Sequence, residues 1–342
     1  MDSQKNNMAH YQGLRYKALI FCRCECVFLI IFILFCNLSC ETCTAQNEIQ
    51  ISGVGNLPVV VNPGAVGSSG AYKAIAAYRT QWVGFEDAPS TTVLGVDGEV
   101  KFLKNFHGVG VNVFYDEIGA FTNMNINLNY SYHLELNDGL LGLGMRVGVL
   151  NVAMSTSDLR PSVDGLEDDY HQSDDMALQG EDDSATGLDI GLGAFYQTKR
   201  GYLSFSILHV NAPTVEMKSG TEITFKPVMT FGAGRQYKWM SELVFEPRCF
   251  IKTDFSTVQV DISGSLNIRK IMTAGIGYRL QDAIFFQLGA NLSNGLFVGY
   301  NYEVGTSKLS SYNSGTHEIA VGYTFNIDIE KRTKRYKSVR LL

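Results

Sequence analysis

Cysteine is scarce where it would matter. Six of the seven cysteines (Cys22, Cys24, Cys26, Cys36, Cys40, Cys43) lie in the first 45 residues, and Cys249 stands alone beyond them. One thiol excludes an internal disulfide framework and a cysteine-based zinc site. Long apolar runs are also missing: residues 27–35 form a short one, well below the roughly 20 residues of a membrane helix. No G-x-S-x-G, H-E-x-x-H or P-loop occurs, and His107, His133, His171, His209 and His317 lack metal or Ser–His spacing. Gly142, Gly144, Gly191 and Gly193 resemble half a dinucleotide fingerprint, but they sit inside alternating runs, where glycine makes room on a wall. No cofactor or catalytic residue is assigned, and the expectation is a protein that is not an enzyme. A barrel hydrolase using His133 or His209 beside an aspartate stays a remote alternative. The net charge of −6 is a poor composition for binding nucleic acid.

What is present is alternation. From 123 to 135, Met124, Ile126, Leu128, Tyr130, Tyr132 and Leu134 alternate with Asn123, Asn125, Asn127, Asn129, Ser131, His133 and Glu135. Side chains alternate across a strand with a period of two, so this is a strand between an apolar medium and a wet one. The pattern recurs at about 72–82, 91–103, 107–116, 140–154, 186–199, 200–211, 226–238, 241–252, 258–268, 272–280, 284–292, 296–304 and 319–327, giving fourteen candidate strands.

Alternation alone fits a soluble sandwich or an outer-membrane barrel. The even strand count favours a barrel. So do the connections, which alternate between short turns (198–201, Trp239–Met240, Arg269–Lys270, 293–295) and longer loops (155–185, 212–225, 305–315). The short 116–119 connection on the long-loop side is an exception. Tyr130, Tyr132, Tyr196, Tyr202, Phe285, Phe286, Tyr300, Tyr302, Tyr323 and Phe325 sit near strand ends, where aromatic girdles are expected. The fold expected is all-β: a transmembrane outer-membrane β-barrel of 14 antiparallel strands behind a cleaved signal peptide.

Residues 1–45 read as that signal peptide, with Lys5, Arg15, Lys17 and Arg23, the apolar core, and Cys43-Thr44-Ala45 before Gln46. Residues 46–71 are expected to be a periplasmic N-terminal segment, 72–328 the barrel, and 329–342 a basic periplasmic tail. The 155–185 loop carries ten acidic residues and one base through Asp183, with a calcium site weighed against a solvated acidic surface.

One stretch is more specific. Asn62-Pro63-Gly64-Ala65-Val66-Gly67, then Tyr78-Arg79-Thr80-Gln81-Trp82-Val83-Gly84-Phe85 and Ala88-Pro89-Ser90-Thr91, resemble the N-P-A-x-x-G … R-x-Q-W-x-G-[FI]-x-x-A-P-x-T signature of the PorP/SprF family. Asp116 before Gly119 resembles that family's D-x-x-G, and His317-Glu318-Ile319 its closing S-H-E-[IL], with Thr316 at the usual Ser. Gly64 departs from the usual Ala, and the terminal Leu341-Leu342 from a frequent aromatic end. The resemblance spans about 47–342. It implies an outer-membrane component of the type IX secretion system that links periplasmic and outer-membrane machinery to secreted adhesin-type cargo, including gliding adhesins, at the cell surface. From the residues alone, Arg79, Gln81, Trp82, Gly84 and Pro89 would surround the outer end of the first strand and either grip a partner or stabilise the barrel mouth. A porin-like or fatty-acid-transporter-like solute channel is the alternative, and whether the lumen is open is left undecided.

Overall fold

A run of alternating polar and apolar residues can satisfy its backbone only beside another strand, and fourteen such runs here close on one another. The computed structural model describes residues 49–52, 57–85, 87–102, 105–155, 183–218, 220–306, 310 and 312–325. Its barrel strands are β1 Tyr72–Thr80, β2 Ser90–Phe102, β3 Asn105–Ile118, β4 Phe121–Leu136, β5 Gly139–Met154, β6 Asp183–Thr198 and β7 Gly201–Leu208. They continue with β8 Val228–Arg235 and Tyr237–Met240, β9 Leu243–Thr253, β10 Val258–Ile268, β11 Met272–Arg279, β12 Ala283–Asn291, β13 Leu296–Gly305 and β14 Thr316–Phe325. The two pieces of β8 both pair with β9 and are interrupted only at Gln236. β1 pairs with β2 on one side and with β14 on the other, from Tyr72↔Phe325 to Thr80↔His317. The fourteen expected strands are therefore all present, as a closed antiparallel barrel.

The apolar rows face outward. Leu128 is 64% exposed while its neighbour Asn127 is fully buried, and Leu94, Ile126, Val149, Leu188 and Leu288 repeat that exposure around the wall. Inward lie Asn112, Asn129, Ser131, Arg146, Asp189, Ser206 and Glu318, all buried. Such a continuous apolar outer surface belongs in lipid.

Turns at 137–138, 199–200, 241–242, 269–271 and 292–295 are short and share one end with Tyr72 and Phe325. The longer connections 81–89, 209–227 and 306–315 lie at the other. The first end is here called inner and the second, which also holds the short turns 119–120, 254–257 and 280–282, outer. One expected turn moves: β8 runs through Trp239–Met240, and the chain reverses at 241–242. Strands β4, β5 and β6 have 16 residues each, against 8 in β11 and 9 in β12. The excess stands at the outer end, where the outward row turns from Ile126, Val149 and Leu188 to Thr122, Asn151, Ser184 and Thr186.

Eight of the ten expected girdle aromatics lie on the outward rows or at strand ends. Tyr202 and Phe285 instead face the lumen, stacking on Phe195 (centroids 5.7 Å apart) and under the Arg279 guanidinium (5.9 Å). Two histidines join the girdles. His107 packs with Tyr130 and Tyr132 near the inner end, and His317 with Tyr300 and Tyr302 near the outer one.

The segment 46–71 departs most from expectation. Rather than standing apart from the barrel, its described residues 49–52 and 57–71 run inside it. A single-turn helix α1, Pro58–Val61, and a 3-10 turn, Pro63–Ala65, lie in the lumen. Ile51, Leu57 and Val60 pack against Ala77, Val93, Phe114 and Ala320 of the wall. A second insert enters from the outer side: in the 209–227 connection, a hairpin of Thr214–Glu216 and Glu222–Thr224 sets Val215, Met217 and Phe225 against Leu150, Val152 and Ala185. The signal-peptide reading (1–45), nearly all of the acidic loop with its calcium alternative (156–182), and the basic tail (329–342) lie outside the described residues.

Replacing Leu128 by arginine puts a charge on the lipid face, with an expected loss of about 2–4 kcal/mol of folding stability at mid-bilayer. Asn127→Ser, on the buried inner row, should assemble normally. Gel-shift folding into lipid vesicles checks both, and the reverse order would mean the faces are inverted.

Candidate functional site

A polar inner wall needs partners, and the inserted segment supplies backbone ones. Asn112 donates to the Val59 carbonyl (3.2 Å), Arg146 to Val60 (2.7 Å), Ser206 to Val61 (2.7 Å) and Ser131 to Gly64 (3.1 Å). His133 Nε2 lies 2.9 Å from the Val66 carbonyl, and Gly67 N donates to Asp97 (2.9 Å). Buried Asn62 works in both directions. Its amide donates to the Ala194 and Phe205 carbonyls and to Ser204, and its oxygen accepts from Gly64 N at 2.8 Å. Pro63 opens the following turn with its φ already set.

Close approach explains the repeated glycines. A Cβ on Gly144 would lie 2.2 Å from Gly64 N and from Pro63 C, and one on Gly142 2.1 Å from the Gly64 carbonyl. Gly64 itself sits with its absent Cβ 2.8 Å from the Gly142 carbonyl. Gly67 has φ +71° and its Cβ would meet Gly108 Cα at 2.7 Å, so both backbone and space require glycine there.

Toward the outer end the wall becomes ionic. Arg79, pointing inward from β1, donates to Glu303 (2.7 Å), Glu318 (3.4 Å) and the Ser52 hydroxyl (2.8 Å). Arg279 spans Asp261 (3.0 Å) and the same Glu303 (3.2 Å). Ser52 N and the Asn301 amide donate to Glu318, and Gln287 donates to the Ser52 carbonyl. Arg279 also reaches the half-exposed Asp282 (3.4 Å), so two guanidinium groups hold three buried carboxylates and a fourth at the rim, and Arg79 pins the inserted chain at Ser52.

The remaining motif residues build the outer rim. Gln81 N donates to the Pro89 carbonyl, closing the β1–β2 loop. Trp82 takes φ +48° and its N–H donates to Thr316. Val83 exchanges backbone bonds with Gly315 and Ser314, which ties that loop to the β13–β14 loop. Gly84 (φ +111°) shapes the loop, and Trp82 and Phe85 stay exposed on it. Thr91 donates to Asp116 inside the barrel mouth, Gly119 (φ +56°) turns β3 into β4, and His317 shares a hydrogen bond with the Tyr300 hydroxyl on the lipid face. The motif is therefore not one site: Asn62, Pro63 and Gly67 seat the plug, Arg79 and Glu318 belong to the ionic cluster, and the rest frame the mouth. Sequence reasoning missed Arg279, Glu303, Asp261 and Arg146; their signal was charge on the inward row of a transmembrane strand. Of the two histidines weighed for chemistry, His133 contacts the plug and Glu99, and His209 pairs with Asp189 at 2.8 Å.

At the inner rim a cleft of about 1120 Å³ is lined by Lys199, Arg200, Tyr202, Arg235 and Arg248, among others.

A family model described as type IX secretion system membrane protein PorP/SprF matches residues 43–323. No curated protein matches the chain. Among solved structures, the toluene transporter TodX of Pseudomonas putida is 10% identical at a TM-score of 0.46, covering 83% of this chain and 96% of that one. The toluene transporter TbuX of Ralstonia pickettii is 9% identical at 0.44, covering 83% and 95%. The outer membrane protein Omp33 of Acinetobacter baumannii is 8% identical at 0.39, covering 75% and 99%.

Arg79→Ala removes the buried guanidinium that bridges Glu303 and Glu318, an expected loss of about 3–5 kcal/mol. Thermal loss of the folded band in unheated gels reads it, and Arg79→Lys should fall between the two. Gly144→Val should expel the plug turn and turn a silent barrel into a conducting one in planar bilayers; a folded but silent variant would show that the plug does not seal the lumen.

Proposed function

The chain belongs to the PorP/SprF family of type IX secretion system membrane proteins, and from that premise we propose that it joins the periplasmic secretion machinery to exported proteins at the cell surface. It is an outer-membrane β-barrel. The observation that carries the reading beyond the family is the filled lumen. Two inserts and a buried ionic cluster occupy the space that a free solute path would need, which favours a scaffold over a porin-like channel.

The two ends differ in a way that suits a linker. Inner turns carry Lys199, Arg200 and Lys270 exposed beside the cleft with Arg235, along with Asp138 and the exposed Arg269–Glu242 pair. The outer rim carries Asp87, Glu117, Asp282, Glu216 and Glu222, with Lys218 and Lys226 among them. Basic short turns would dock acidic surfaces of the periplasmic machinery, while the tall β3–β6 wall and the mouth loops would meet cargo of adhesin type, gliding adhesins included.

A strain lacking the protein should lose surface display of at least one secreted adhesin while its periplasmic pool persists. Lys199→Glu with Arg200→Glu should assemble normally yet retain far less periplasmic machinery in a tagged pull-down at low salt. Normal secretion together with steady solute-selective conductance of the purified wild-type barrel would overturn the reading in favour of a channel.

A further inference from the structure

The wall leaves a gap in its pairing at the outer end of β6. β7 pairs with β6 only from Leu192 to Thr198, so the outer half of β6 has β5 on one side and no strand among the described residues on the other. Just above that pairing, loop residues imitate a strand. Val210 N donates to the Ile190 carbonyl, Ile190 N donates to the Asn211 side chain (3.0 Å), and that side chain donates to the Leu188 carbonyl (2.6 Å). Those contacts show which groups face the gap: the N–H and C=O of even-numbered residues. By ladder alternation, the Ser184 and Thr186 backbones point the same way. Their side chains are exposed and polar, which puts this length of edge above the lipid.

An edge of this kind is a template for another strand. Its surroundings select the charge of the visitor. The hairpin of 214–224 packs beside it, with Val215 against Gly187, and pairs Glu216 directly with Glu222. Both glutamates are exposed, and neither makes an ion pair with a described residue. Like charges placed opposite one another are unfavourable until a cation joins them.

We propose that the outer edge of β6, at Ser184 and Thr186, accepts an extended segment of a partner protein bearing lysine or arginine, which adds as a strand outside the membrane. Main-chain bonds to Ser184 and Thr186 would hold it, and Glu216 and Glu222 would select its charge. This inference concerns one edge and does not depend on the secretion reading, since any basic strand would test it.

The test uses the full-length protein in lipid nanodiscs and a labelled nine-residue peptide of alternating lysine and valine, with a glutamate–valine peptide as control. Fluorescence anisotropy should detect the basic peptide and not the acidic one. Thr186→Pro removes one edge donor while leaving the β5 ladder intact, and should weaken binding about tenfold; Thr186→Val, which keeps the N–H, should bind as wild type. Glu216→Gln with Glu222→Gln should weaken binding and flatten its salt dependence. Unheated gels confirm that each variant is folded. Equal binding of both peptides, or a folded Thr186→Pro variant that binds as wild type, would overturn the proposal. So would slow amide exchange at Ser184 and Thr186 in the free protein, since residues 156–182 would then already cover the edge.

Discussion

The constraint on which everything else rests is that hydrocarbon offers no hydrogen bonds. A strand in lipid must pair on both sides, so the wall closes, and its outer row must be apolar. Polar residues then have only the interior left. Water or protein must satisfy them there, and in this chain much of the answer is protein. Carbonyls of 59–66 take bonds from Asn112, Arg146, Ser206 and Ser131. Wall and plug therefore specify each other.

The ionic cluster deepens that dependence. Arg79, Asp261, Arg279, Glu303 and Glu318 come from β1, β10, β11, β13 and β14, and Ser52 of the inserted chain completes the set. Buried charges of this kind add little net stability over apolar side chains, but each is costly to leave alone. Their effect is to fix register across the seam where the first and last strands meet. The seam is also where the two outer loops exchange backbone bonds at Val83. A barrel closes through this contact, so residues scattered from Arg79 to Glu318 act as one joint.

Much of the architecture was legible because a membrane strand announces its two faces residue by residue. Fourteen runs became fourteen strands, and the row opposite Leu128 became the lumen. The site was legible only in part. Arg79 and Glu318 stood out through motif resemblance, whereas Arg279 and Glu303 looked like any polar members of an alternating strand. Phe285 and Tyr202 stand near strand ends, where girdle aromatics are expected, yet both turn inward, where a guanidinium and a second ring cover them. Residues 46–71 carry no alternation, so the sequence places them outside the barrel. A segment without strand periodicity has nothing local to say where it will lie.

Taken alone, the sequence determined the closed barrel, the direction of its two faces and the asymmetry of its turns, because all three follow from a period of two and from where turn residues fall. Only the tertiary structure decided what fills the lumen, which charges meet there and where the wall stays unpaired. Those depend on contacts between residues more than a hundred positions apart, such as Asn62 with Ser204 and Arg79 with Glu303. The glycines show the division most plainly. Gly142 and Gly144 could be read as making room on a wall; that the room is for the Pro63–Gly64 backbone appears only once the chain has folded back inside its own barrel.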